Sequence, residues 1–66
     1  MQNAVREMRL KRKLTQEALA KRVDISRTHL SEIENGNVVP SILTAQRIAK
    51  ALKVKTESIF FDHNVV

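Results

Sequence analysis

Residues 15–36, TQEALAKRVDISRTHLSEIENG, contain two helical patterns separated by a turn of about four residues. The hydroxyls of Thr15 and Ser26 can each accept a free backbone N–H at the start of a helix. Asp24 tolerates the left-handed conformation that a tight turn needs, and Asn35-Gly36 is a strong helix stop. The predicted helices are 16–22 and about 26–35.

The apolar residues of this stretch recur at helical spacing and predict its buried faces. In the helix over 16–22, Leu19, Ala20 and Val23 point inward, and the small Ala20 lets two crossing helices approach closely. In the helix at about 26–35, Leu30 and Ile33 form the inner edge. The opposite face of this helix is therefore directed outward.

Similar patterns predict three further helices around this pair. The first spans residues 4–12, the fourth is capped by Ser41, and Thr56 caps a short fifth helix, TESIFF. The residues expected to face the core are Ala4, Val5 and Met8 from the first helix, and Ile42, Ala45, Ile48, Ala49, Leu52, Ile59 and Phe60 from the last two. With one Gly and one Pro, the chain is predicted to be an all-α, compact five-helix domain.

Length and composition limit the number of domains and the classes of protein to which the chain can belong. Sixty-six residues make one domain at most, so we expect a single domain over 1–66 with a terminal tail at 62–66. Cysteine is absent, which excludes a disulfide framework, a thiolate nucleophile and a Cys-based metal site. No apolar stretch is long enough for a signal peptide or a membrane span. We therefore expect a cytoplasmic protein.

The charge of the chain favours a polyanionic partner. Twelve Lys and Arg against seven Asp and Glu give a net charge of +5 and a pI of about 10.3, a strong positive field for so short a chain. No catalytic triad, P-loop or dinucleotide fingerprint is present, and His29 and His63 are too far apart in the sequence to suggest a metal site. We expect neither an enzyme nor a cofactor or metal site.

The outward face of the helix at about 26–35 carries Arg27, Thr28, Ser31 and Glu32. A helix of this kind fits the major groove of B-DNA, where its first two turns reach the base edges. Arg27 can donate two hydrogen bonds to guanine O6 and N7, and Glu32 can accept one from cytosine N4. Thr28 can bond a base edge or pack its methyl on thymine. These residues predict a domain that binds double-stranded DNA.

The sequence also resembles a known family. LTQEALAKRVDISRTHLSEIENGNVVPS, AQRIAKALKV and TESIF are similar in order and spacing to motifs of the lambda-repressor/Cro-like helix-turn-helix family, also called XRE, over residues 4–61. The resemblance implies a five-helix domain that binds operator DNA, usually as a homodimer. It also implies that Arg9 pairs with Glu34 and ties the first helix to the end of the third.

The resemblance adds site residues to those that the outward face suggests. Gln16 matches a position near phosphate, and Arg27, Thr28 and Glu32 match the base readers. Basic loop residues of the family are replaced here by Val38 and Val39, which leaves phosphate contacts there to Asn37 or to backbone N–H groups. The predicted DNA-binding residues are Gln16, Ser26, Arg27, Thr28, His29, Ser31, Glu32, Asn35 and Asn37. The alternative for each is an ordinary solvated helix face, above all for Glu32, because an acid beside phosphates is costly.

Apolar residues without a place in the core predict a homodimer. Leu43 stands where the family usually has a polar residue, and Phe61 follows two inward positions that are already filled. In the family this region often lies near the two-fold axis, so that the third helices enter grooves about 34 Å apart. The predicted dimer residues are Phe61, Val65 and Val66, with Val38, Val39 or Leu43 adding to them.

The function expected from these features is a transcriptional regulator that binds a palindromic operator as a homodimer. Family activators sometimes present two acids on the helix that corresponds to residues 16–22. Glu17 matches one of them, but Lys21 reverses the charge of the other, so repression is favoured. The alternatives are the antitoxin of a toxin–antitoxin pair that regulates its own operon, or a module for protein interaction. The possible protein partners are a toxin or a protein antagonist.

Overall fold

The computed structural model describes residues 2–60, and these residues form five helices. They are α1 (Val5–Lys11), α2 (Gln16–Val23), α3 (Arg27–Glu34), α4 (Ile42–Leu52) and α5 (Thr56–Ile59). Over 2–60 the only β pairing is an isolated antiparallel bridge between Asn3 and Phe60. The predicted all-α, five-helix fold is confirmed. No helix of the described part has the length and apolar character needed to cross a membrane.

Three helices begin at the hydroxyl caps that the sequence predicts. Thr15, Ser26 and Ser41 each accept the backbone N–H three residues ahead, at 3.0, 3.0 and 3.1 Å, and each such cap stabilises its helix by about 1 kcal/mol. The cap predicted at Thr56 is wrong. Lys55 is the N-cap residue of α5 and makes no side-chain cap bond, so Thr56 is already helical. We attribute the shift to burial of Ile59, which outweighs capping in a helix of four residues.

Two helices end at left-handed residues other than glycine. Asp24 follows α2 with φ 61°, as predicted, and Lys53 follows α4 with φ 60°. Lys13, in the turn after α1, has φ 59°. Each of these conformations costs about 1–2 kcal/mol relative to the right-handed one. The turn at Asn35-Gly36 ends α3 as expected, with Gly36 at φ 79°.

The core is formed by one face of each helix. α2 packs against both α3 and α4, and α4 also contacts α1 and α5. The buried apolar residues are Val5, Leu19, Ala20, Val23, Leu30, Ile33, Ala45, Ile48, Ala49, Leu52, Ile59 and Phe60. Ile42 was expected among them but is 79% exposed, because it begins α4 one turn before Ala45 and lies beyond the edge of the core. Ala4, Met8 and Ile25 are half-buried against the core.

Long-range hydrogen bonds fix the position of α1. The side-chain amide of Asn3 donates to the carbonyl of Ile33 at the end of α3, at 2.8 Å. At the other end of α1, Arg12 Nε donates to the carbonyl of Leu52, the last residue of α4, at 3.1 Å. One side-chain hydrogen bond therefore joins the start of α1 to α3, and another joins the end of α1 to α4.

Candidate nucleic-acid interface

The outward face of α3 begins with exposed polar side chains. Arg27 and Thr28 are exposed, whereas His29, Ser31 and Glu32 are half-buried. On the inner side Leu30 and Ile33 are fully buried, so the rotation of α3 about its axis is set by the core. The first turn of α3 therefore presents Arg27 and Thr28 to solvent.

Residues at both ends of α3 extend this surface. Ser26, Asn35 and Asn37 are exposed. The Ser26 hydroxyl oxygen accepts the His29 backbone N–H at 3.0 Å, which leaves its own O–H able to donate to another group. The ends of α3 thus add polar groups on either side of Arg27.

Gln16, the first residue of α2, is held against the end of α3. Its Nε2 donates to Glu34 Oε1 at 3.1 Å, and the residue is half-buried. The amide nitrogen carries a second N–H, which remains for another acceptor. The sequence placed Gln16 in the site but did not predict its bond to Glu34.

The carboxylate of Glu34 joins the first three helices. Arg9 donates to it through Nε at 2.8 Å and through Nη2 at 3.3 Å, so the pair implied by the family resemblance is confirmed. Arg9 also donates through Nη1 to the Leu14 carbonyl at 2.9 Å. The Glu34 side chain is fully buried and that of Arg9 is 10% exposed. Arg6, on the surface, adds a contact of 3.4 Å.

The environment of Glu34 keeps its carboxyl group charged. Burial alone raises its pKa, but hydrogen bonds from Arg9 and Gln16, the charge of Arg9 and a hydrogen bond from Arg6 outweigh burial and lower the pKa below its ordinary value. Glu34 is therefore an anion at neutral pH, and it connects residues of α1, α2 and α3 at one point.

A second arginine of α1 reaches the residue that ends α3. Arg6 Nη2 donates to Asn35 Oδ1 at 2.7 Å, which orients the Asn35 amide and leaves its N–H groups as the donors for an outside partner. Sequence reasoning missed this contact. The available signal was spacing, because Arg6 and Arg9 lie one helical turn apart on the same face of α1.

A cleft of about 460 Å³ borders the first turn of α3. It is lined by Glu17, Ala20, Lys21, Ile25 and Arg27. Lys21 of α2 and Arg27 of α3 thus line the same cleft. The sequence did not predict that these two residues lie close together. The site therefore has a cation on each of its two helices.

On another surface, apolar side chains are exposed where α4 begins. Val39, Ile42 and Leu43 are 66, 79 and 57% exposed, and we call these three residues the apolar patch. Beside them a cleft of about 430 Å³ is lined by Val39, Ile42 and Phe60, among others. Of the predicted dimer residues, Val39 and Leu43 lie in the patch, and Val38 is half-buried against the core. Phe61, Val65 and Val66 lie outside the described residues.

Comparison with known proteins agrees with this geometry. A family model described as helix-turn-helix matches residues 5–59, from the first residue of α1 to the last of α5. An HTH-type transcriptional regulator of Bacillus subtilis, YgzD, is 39% identical over 61 residues, which are 92% of each chain. The immunity repressor protein of Bacillus phage phi105 is 32% identical over 94% of this chain and 43% of its own length.

A solved structure has the same arrangement of helices. The restriction-modification controller protein C.AhdI from Aeromonas hydrophila superimposes with a TM-score of 0.80, at 28% identity, over 85% of each chain. The fold is therefore the lambda-repressor-like all-α fold that the sequence predicted. Since the family model and YgzD both match nearly the whole length, the chain belongs to the lambda-repressor/Cro-like, or XRE-type, helix-turn-helix family of DNA-binding transcriptional regulators.

Proposed function

We propose that this DNA-binding regulator represses transcription by binding a palindromic operator as a homodimer, with α3 of each subunit in the major groove. The observation that carries the proposal is the division of α3 into two sides. Leu30 and Ile33 are fully buried, whereas Arg27 and Thr28 are exposed at the N-terminal end, which is the end that reaches base edges in such complexes.

The exposed and half-buried residues of this surface can contact either bases or phosphates. Arg27 donates to guanine O6 and N7, Thr28 contacts a neighbouring base, and Glu32 accepts from cytosine N4. The phosphate contacts are assigned to Gln16, Ser26, His29, Ser31, Asn35 and Asn37. Gln16 and Asn35 are suited to this because Glu34 and Arg6 orient their amides, and phosphate contacts set the register of a protein on DNA.

The apolar patch supports the homodimer. Single exposed apolar residues are normal on a protein surface, but Val39, Ile42 and Leu43 are exposed together beside a cleft, as at interfaces between proteins. The cleft is also lined by Phe60, which directly precedes the predicted dimer residue Phe61. We place the two-fold axis at this patch, with Val38 beneath it and Phe61, Val65 and Val66 adding apolar surface.

Two observations favour repression over activation. The chain is similar to a phage protein named as an immunity repressor. On α2, Glu17 and the exposed Lys21 have opposite charge, so α2 lacks the paired acids that family activators sometimes present. A repressor needs only to occupy its operator, and the proposed DNA contacts are sufficient for that.

Selection of bound sequences from random double-stranded DNA tests the proposal. The expected result is an enriched sequence with two-fold symmetry and half-sites about one helical turn apart, 10–10.5 base pairs. Enrichment of a single asymmetric half-site would contradict the homodimer, and no enrichment would contradict specific recognition. A reporter placed downstream of the enriched sequence then separates repression from activation.

A further inference from the structure

The positive charge of the chain is not concentrated on α3. The net charge is +5, yet apart from Glu34, which is paired with Arg6 and Arg9, α3 carries one arginine, Arg27, against one acid, Glu32. A helix with this composition does not attract a polyanion by its own charge. The attraction expected of a DNA-binding domain therefore needs cations on another surface as well.

That surface lies where the C-terminal ends of α1 and α4 meet, at the hydrogen bond from Arg12 to the Leu52 carbonyl. Five exposed cations lie within two residues of Arg12 or Leu52 in the sequence, Arg12 itself included, and we call them the basic ridge: Lys11, Arg12, Lys13, Lys50 and Lys53. Residues 8–16 and 47–55, which contain them, include no Asp or Glu. The five charges of the ridge equal the net charge of +5 in number.

The charges of the basic ridge are not neutralised within the fold. Among residues 2–60 the only ion pairs are those of Glu34 with Arg6 and Arg9. In addition, Lys13 and Lys53 have positive φ angles of 59° and 60°, a conformation that glycine adopts at lower cost. The chain thus has lysine at two positions where glycine fits the backbone better, which points to a use for their charge.

The basic ridge begins at the edge of the DNA-binding surface. Lys13 lies three residues before Gln16, which starts α2 and is bonded to the end of α3. From there the ridge continues through Arg12 to the end of α4. We propose that the basic ridge binds the sugar-phosphate backbone of the duplex outside the segment read by α3, an inference that rests on the proposed binding of DNA.

The consequence is that affinity depends on flanking DNA of any sequence. Each phosphate neutralised by a cation adds about −0.9 to the slope of log affinity against log salt. Contacts from two ridge lysines therefore make the loss of affinity between 50 and 200 mM salt about twelvefold larger. A duplex too short to reach the ridge lacks this effect.

The test uses the double variant Lys13→Gly, Lys53→Gly, which removes two charges where glycine relieves the backbone. Binding is measured by fluorescence anisotropy on two duplexes, namely the shortest selected sequence that retains specific binding and the same sequence extended by about 10 base pairs on each side. The wild type should bind the extended duplex more tightly and with a steeper salt slope. The double variant should match the wild type on the short duplex and lose about 2 from the magnitude of the slope on the long one.

The matched control is Asp24→Gly, which makes the same backbone change at φ 61° without removing a ridge charge. It should keep the wild-type ratio of affinities for the two duplexes. If the double variant keeps that ratio and slope, or if the wild type gains nothing from extension, the ridge does not bind flanking DNA, although the proposed function stands. If the wild type binds neither duplex in a salt-dependent manner, the proposed function itself fails.

Discussion

Replacing Glu34 with alanine leaves Arg9 without its partner in the interior. The Glu34 side chain is fully buried and that of Arg9 is 10% exposed, so solvent cannot replace the lost carboxylate at the guanidinium. Gln16 and Arg6 lose an acceptor at the same time. The variant should therefore unfold much more readily than the wild type.

The expected loss is about 3 kcal/mol, because removing one partner of a buried ion pair costs roughly 3–5 kcal/mol. Arg6 adds little to this figure, since its side chain is 52% exposed and exposed pairs contribute about 0–1 kcal/mol. A domain of 66 residues has a total stability of roughly 3–10 kcal/mol. The Tm should fall by about 10–25 °C.

The assay is urea unfolding followed by circular dichroism, with Glu7→Ala as the control because Glu7 is exposed on α1. The control should stay within about 0.5 kcal/mol of the wild type. Glu34→Gln, which keeps an oxygen acceptor but no charge, should fall between the control and Glu34→Ala. A Glu34→Ala curve with the wild-type midpoint and slope would refute the argument that Glu34 holds α1, α2 and α3 together.

The remaining predictions concern pH, specificity and assembly. The pKa of Glu34 is lowered in the fold. Its contribution to stability is therefore complete above the pKa of this carboxyl in the unfolded chain, and it is lost as pH falls through the folded pKa. The free energy of unfolding, measured against pH, should show a loss at acid pH that is smaller in Glu34→Gln. Arg27→Ala should weaken binding to the preferred DNA by about 1–3 kcal/mol and relax the preference at one base pair per half-site. The control Arg22→Ala, on the exposed side of α2, should change the affinity for all sequences alike. An equal loss of affinity for specific and random DNA in Arg27→Ala would reassign Arg27 to phosphate. Ile42→Ser, at a residue that is 79% exposed, should change the free energy of unfolding by no more than about 0.5 kcal/mol and weaken self-association in sedimentation. Phe61→Ser truncated after Asp62 should also weaken self-association. If the wild type stays monomeric at high concentration and the truncated variant binds the full palindrome with undiminished affinity and cooperativity, this dimer surface is excluded.

Local signals in the sequence predicted most of the fold. The hydroxyl caps at Thr15, Ser26 and Ser41 are effective because each side chain needs only a backbone N–H three residues away. The failures occur where tertiary packing decides. Thr56 has the chemistry of a cap, but the burial of Ile59 sets where α5 begins.

The contacts around the candidate site were harder to predict because they join distant residues. The bond between Gln16 and Glu34 spans 18 residues and that between Arg6 and Asn35 spans 29. Helical spacing places Arg6 on the same face as Arg9, but it does not specify Asn35 as the partner of Arg6 or Glu34 as the partner of Gln16. Ile42 shows the same limit in the core. Helical spacing placed it with Ala45, but spacing does not tell where the neighbouring elements end, and Ile42 is left exposed.

The bridge between Asn3 and Phe60 suits the domain to being one part of a longer polypeptide. The two ends of the described part lie side by side, since the Ala4 N–H also donates to the Ile59 carbonyl at 2.7 Å. A unit whose ends lie side by side can be built into a longer polypeptide at a small cost in loop-closure entropy. In the phage phi105 repressor the matching region makes up 43% of the protein. Additional segments could thus be joined at either end of the five helices without separating α1 from α5.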